Sequence, residues 1–205
     1  MSTDPRPDDG AAGTAPCRRP DIARTLIGCV GNAVSQWARI ARSQVTEHEI
    51  EMFRHVDHAN AQLLGRVIRD HGWPGYRLVG EDGASAAWWI ALHADSLLTV
   101  QNLALQLMYE AVRQGDASLP QWAHLTDRAL TNAHKLQEFG TQYRQGATGL
   151  ERQPVHAPDT LDQRRIAIGL VPAADALETL RRRLDAPPRY GALPGEPPAD
   201  LSGTA

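Results

Sequence analysis

Residues Ala84 to Ala94 read ASAAWWIALHA, and at helical pitch this run is apolar on nearly every side. Such a helix has no face to turn to water, so the rest of the chain must supply a jacket of other elements around it. A chain of 205 residues can do so: 42% are hydrophobic, 22% are charged, and the formal net charge is -3. That balance describes a globular domain rather than a disordered or fibrous one. Only two cysteines are present, so the core must hold by packing and not by disulfides. A pI near 6.2 offers no broad positive field to a phosphate backbone, and no run approaches the roughly eighteen apolar residues of a membrane span. Neither a nucleic acid nor a membrane is expected as a partner. The start, Met1 to Pro20, lacks the basic-then-apolar pattern of a secretory signal, and the expected location is the cytoplasm.

The jacket is legible as further helices. From Asp21 to Gln44, Ile22, Leu26, Cys29, Ala33, Trp37 and Ile40 recur at spacings of three and four. Thr46 with Glu49 forms a capping-box pattern, opening a helix that runs to about Asp70 before His71-Gly72-Trp73-Pro74 stops it. Ser96 to Gln114 is amphipathic and closes at Gly115. Ser118, with Pro120 behind it, caps a helix to about His134. Gly140 to Asp159 has glycines, prolines and no period, which predicts a loop beside the site. Two shorter helices follow, from Asp159 or Thr160 to Ile168 and from Pro172 to Leu184. Tyr76 to Val79 is a weak strand candidate. The expected fold is all-α, a single-domain bundle of about six to seven helices over residues 21–185, between disordered tails at 1–20 and 186–205.

Polar residues on apolar faces mark the candidate site. In the helix after Thr46, Asp57 and Asn60 fall in the seam of Ile50, Phe53, Leu64 and Val67. A carboxylate taken out of water costs several kcal/mol unless it is paired. A ligand or reaction is one reason to keep it there; capping a neighbouring helix or tying down a loop is the other. His93 lies in the all-apolar run, so it is expected to be buried and neutral, the state a general base requires. Asp95 reads as the cap of the next helix, in whose seam Gln101 sits. His124, Asp127 and Arg128 lie off the seam of Trp122, Leu125, Ala129 and Ala133, and periodicity alone makes them solvated. Gln142 lies in the glycine-containing loop. Arg164 and Arg165 offer guanidinium forks to an anionic group. His48, Glu51, His55 and His58 could meet one metal from successive turns, yet they lie opposite the seam and read as a solvated face. No HExxH or CxxC occurs, so no metal and no cofactor is expected.

Asp57 with Asn60, His71-Gly72-Trp73-Pro74, Val79-Gly80, Ala87-Trp88, His93-Ala94-Asp95, Gln101, Leu125 with Asp127-Arg128, Gly140-Thr141-Gln142, and Arg164-Arg165 with Gly169-Leu170 resemble a bacterial family known only as a domain of unknown function. The likeness spans roughly Asp57 to Leu170. It brings no activity, but it selects residues, and it restores Asp127 and Arg128 as candidates. Leu92 stands where the family pattern has Gln before the His-Ala pair.

These readings lead to an expected cofactor-independent acid–base enzyme for a small metabolite or peptide-like substrate with an anionic group, performing a cyclisation, elimination or hydrolysis. Asp57, His93 and Asp127 would be catalytic; Asn60, Gln101, Arg128, Gln142, Arg164 and Arg165 would bind substrate. A non-catalytic ligand-binding or interaction module is the alternative, and a metal-dependent enzyme the third reading. A homodimer is compatible with all three.

Overall fold

The computed structural model describes residues 17–40, 44–146 and 149–185. The expected disordered tails fall outside the described residues, apart from 17–20. Seven α-helices are present among the described residues, in chain order α1 (Pro20–Ile40), α2 (Glu47–His71), α3 (Tyr76–Leu92), α4 (Leu98–Arg113), α5 (Leu119–Asn132), α6 (Leu161–Ala167) and α7 (Ala173–Asp185). A small hairpin of β1 (Tyr143–Gly146) and β2 (Gly149–Arg152) lies between α5 and α6. The described residues are therefore mostly α-helical, with only this two-stranded sheet among them.

The apolar run is the centre of the bundle. Ala84 and every residue from Ala86 to Leu92 are buried, and α1, α2, α4 and α5 all pack on α3. The jacket contributes Ile22, Leu26 and Val30 from α1, Leu64 and Ile68 from α2, Ala104 and Met108 from α4, and Leu125 from α5. Each large aliphatic or aromatic side chain enclosed in this way contributes about 1.5–3 kcal/mol. The capping box forms as its sequence implies: Thr46 Oγ accepts from the Glu49 amide at 3.3 Å while Glu49 Oε2 accepts from the Thr46 amide at 2.8 Å.

Tyr76 to Val79 is helical, not a strand. Its first turn is held from outside, since the Tyr76 amide donates to the Asp116 carbonyl at 3.0 Å and the Arg77 amide to Asp116 Oδ1 at 2.8 Å. The helix then breaks at Gly80, whose φ of 74° and ψ of 175° suit glycine alone. That break withdraws the amides that would have bonded the Arg77 and Leu78 carbonyls. Arg18 and Arg19 donate to those two carbonyls instead, at 3.3 and 2.8 Å, which lays residues 17–19 across the kink.

The stretch expected as an unpatterned loop is also more ordered than its sequence shows. Tyr143 pairs with Arg152 and Gly146 with Gly149 in antiparallel register, and Tyr143 and Leu150 pack with Leu180 of α7. An isolated parallel bridge joins Gln137 to Val155. Each strand has only four residues, too few for alternation to stand out from the surrounding glycines.

Candidate functional site

Two polar assemblies flank α5, and between them they hold most of the residues that the sequence singled out. The first is a clasp on the segment that follows α5. Asp127 is fully buried, and its carboxylate accepts from the amides of Glu138 at 2.7 Å, Phe139 at 2.9 Å and Thr141 at 2.8 Å, and from the Thr141 hydroxyl at 2.9 Å. Burial pushes this carboxyl above the ordinary range, while the amides of Phe139, Thr141 and Glu138 pull it back. Arg165, also buried, donates to the Phe139 carbonyl at 2.6 Å and the Val171 carbonyl at 2.7 Å. Arg164 donates to the carbonyls of Glu138 at 3.0 Å and His156 at 2.6 Å, and to Thr160 Oγ1 at 2.6 Å. Gly140 sits inside the clasp at φ 63°, where a Cβ would meet Arg152 Cδ at 2.9 Å. The bonds that Arg164 and Arg165 make within the chain run to main-chain carbonyls and, for Arg164, also to the Thr160 hydroxyl and the Glu138 carboxylate, 2.9 Å from its Nε. Periodicity was misleading for Asp127 and Arg128, because α5 is enclosed on two sides and has no solvated face at either residue.

The second assembly closes the turn between α3 and α4. Asp95 does not cap α4, whose N-cap is Leu97. Its carboxylate instead accepts from Arg128 Nε at 2.9 Å and Arg128 Nη2, from Asn132 Nδ2 at 2.7 Å, and from Gln101 Nε2 at 3.4 Å. Gln101 is buried and bonded at both ends: its amide donates to the carbonyls of Ala91 at 3.2 Å and Leu92 at 3.3 Å, and its oxygen accepts from Asn132 at 2.9 Å. Arg128 is 3% exposed against 34% for Asp95, so a buried cation backs a carboxylate that solvent can reach. Burial alone would raise the Asp95 carboxyl. The charge and hydrogen bonds of Arg128, the Asn132 amide and the nearby His93 outweigh it and hold the group below the ordinary carboxylate range.

His93 is the C-cap of α3, buried at 4% exposure, with its ring 4.5 Å from that of Trp89. Asp57 lies in the buried stripe Phe53, Asp57, Ala61, Leu64 and Ile68 of α2, with Asn60 half-buried beside it. The next residue, His58, bonds Ser96 Oγ through Nδ1 at 2.9 Å, which pins this part of α2 to the α3–α4 turn. His93, Asp95, Gln101, Arg128 and Asn132 therefore surround one turn, to which His58, the residue after Asp57, is bonded. His48, Glu51 and His55 are exposed, with His55 Nδ1 2.8 Å from the Glu51 carbonyl oxygen. Among the described residues no group of three or more such side chains could hold a metal ion.

The sequence profile of a family of unknown function, DUF6624, matches residues 31–186. The chain belongs to that family. The DUF6624 match covers both assemblies and every helix from α2 to α7. No curated protein and no solved structure matches the chain. No described helix is long and apolar enough to cross a membrane.

Asn132 and the role of Asp95 were missed by sequence reasoning. Asn132 stands at the end of a helix, where asparagine is common for local reasons. Its signal was the spacing: Gln121, His124, Arg128 and Asn132 recur at three and four along α5, a polar stripe where an apolar one was sought.

Proposed function

We propose that the chain is a cofactor-independent acid–base enzyme of bacterial small-molecule or peptide metabolism, with its proton-moving groups at the α3–α4 turn. The observation that carries this reading is the ionised, solvent-reachable Asp95 carboxylate, set against the buried Arg128 and beside the buried His93. An adjacent carboxylate favours a proton on imidazole and so strengthens it as a base. His93 or Asp57 would take the substrate proton, and Asp95 would stabilise the imidazolium that forms. Gln101 and Asn132 hold Asp95 in place and leave the substrate to other groups. Arg128, buried behind Asp95, is the counter-ion that keeps that carboxylate charged; Asp127, Arg164 and Arg165 shape the neighbouring segment.

The complete hydrogen bonding of Gln101 favours one rival, a non-catalytic module whose polar interior only fastens helices. Incubating purified protein with a bacterial metabolite extract and following consumption by mass spectrometry separates the two. The enzyme reading expects at least one compound to be consumed by the wild type and spared by Asp57→Asn and His93→Ala, both with a thermal transition near that of the wild type. If no compound is consumed, or if both variants unfold, these groups are structural.

A further inference from the structure

His58 and Gln62 stand one turn apart on α2, and Ser96 meets them from the α3–α4 turn. Ser96 Oγ lies 2.9 Å from His58 Nδ1, and Gln62 Nε2 lies 3.0 Å from His58 Nε2. A hydroxyl, an imidazole and an amide are therefore linked in the order nucleophile, base and orienting group that covalent catalysis requires. Fastening α2 to the turn would need only the first of these contacts. Ser96 is exposed and His58 half-buried, so an acyl group arriving from solvent can reach the hydroxyl while a helix carries the base.

The state of the base turns on the Gln62 amide. With Gln62 Nε2 donating, His58 Nε2 accepts, and the ring proton sits on Nδ1, which donates to Ser96 Oγ. Turning the exposed amide over brings its oxygen to the ring instead. His58 Nε2–H then donates to Gln62 Oε1, and Nδ1 is left to accept the Ser96 proton. Both settings keep the same two contacts, and Gln62 makes no other hydrogen bond among the described residues that would fix the first.

The surroundings of Ser96 bear on the substrate. Ser96 stands immediately ahead of Leu97, the N-cap of α4, and Leu97 contributes no capping side chain. The positive end of that helix is left uncovered by a side-chain cap, which favours negative charge developing on an acyl oxygen there. Gln62 is neutral, so it steadies an imidazolium less than a carboxylate would. The pair therefore suits acyl groups whose leaving group departs with little help from an acid, an activated ester or thioester rather than an amide.

We propose that Ser96 is a nucleophile for activated esters or thioesters, with His58 as its base and Gln62 as the residue that orients the imidazole. Ser96 Oγ bonds to the acyl carbon as its proton passes to His58 Nδ1. The bond from that carbon to the leaving group breaks, and the departing alcohol or thiol takes the proton. Water then attacks acyl-Ser96, which releases the acid and restores the hydroxyl. This goes beyond the acid–base reading, which uses neither Ser96 nor His58. The test mixes full-length protein with p-nitrophenyl acetate, follows p-nitrophenolate release, and locates the acetyl group by peptide mass spectrometry. The expected result is an early burst with an acetyl group on Ser96, both lost in Ser96→Ala. His58→Phe should slow acylation about 10²–10⁴-fold, and Gln62→Glu, whose carboxylate can only accept from His58 Nε2, should speed it. Thermal transitions check folding, and if His58→Phe does not fold, Gln62→Glu decides. Acetyl groups found on Lys135 and not on Ser96, or a Ser96 acylation rate that these variants leave unchanged, would mean that the hydrogen bond only fastens α2 to the turn and would overturn the proposal. The extract screen with Asp57→Asn and His93→Ala reads the acid–base chemistry separately, so either reading can fail alone.

Discussion

Replacing Asp127 with alanine should be among the most damaging single changes in the molecule, although the residue touches no substrate in this account. The carboxylate satisfies three main-chain amides and one hydroxyl. Glu138 is half-buried, so its amide can turn to water once the carboxylate is gone. Phe139 and Thr141 are buried, which leaves two amides and a hydroxyl without partners at about 1–3 kcal/mol each. Water entering the space left by the side chain offsets part of this, and the expected loss is about 3–5 kcal/mol. For a domain of this size, 1 kcal/mol lowers Tm by about 2–4 °C, so the shift should be roughly 6–20 °C. Asp127→Asn should fall between, since its oxygen can serve Glu138 and Phe139 while its amide nitrogen faces the Thr141 N–H, donor against donor. Thermal melts followed by circular dichroism give the magnitude, and hydrogen exchange at the amides of 138, 139 and 141 gives the location. An alanine variant that melts within about 2 °C of the wild type, with those amides still protected, would refute the clasp.

Three further outcomes follow from the geometry. Gly80→Ala places a Cβ on a backbone that glycine alone adopts without strain, and should cost about 1–3 kcal/mol in a urea melt; an unchanged midpoint contradicts the kink. The folded-state value of about 3 for His124 lies below the roughly 6.5 of an unfolded imidazole, so the unfolded chain binds more protons between them. Stability from this group is full above about pH 6.5 and is lost as pH falls towards about 3. Urea midpoints at pH 7 and pH 5 should therefore differ less in His124→Phe than in the wild type, and equal differences would count against it. Arg128→Met removes the charge that offsets burial at Asp95, so carbon NMR should find that carboxyl above the ordinary range instead of below it.

The helical frame was legible because its signals are local. Thr46 with Glu49, Ser118 with Pro120 and the Gly72-Trp73-Pro74 stop act within a turn or two, and the structure uses each as the sequence implies. Asp57, His93 and Gln101 were legible as buried polar residues for a related reason: each interrupts an apolar stripe whose neighbours announce the core. What failed was long-range. Tyr76 to Val79 is helical because Asp116, distant in sequence, caps it. Asp127 and Arg128 are buried because a segment beyond α5 folds back over one side and α3 covers the other, and a single helical period cannot report two covered faces. The bonds of Arg164 and Arg165 to residues 138–140 were not legible either, because guanidinium geometry suits anions and backbone carbonyls alike and those residues lie far away in sequence.

The central claim is a division of labour: the clasp orders a segment, and the α3–α4 turn moves a proton. Turnover and Tm measured on the same preparations of His93→Gln and Arg164→Gln test it most directly, using the compound that the extract screen identifies. The account predicts that His93→Gln loses about 10²–10⁴-fold in turnover at nearly unchanged Tm, whereas Arg164→Gln lowers Tm and keeps its turnover per folded molecule. Turnover that survives in His93→Gln, or that falls in both variants only in step with the folded fraction, would contradict it.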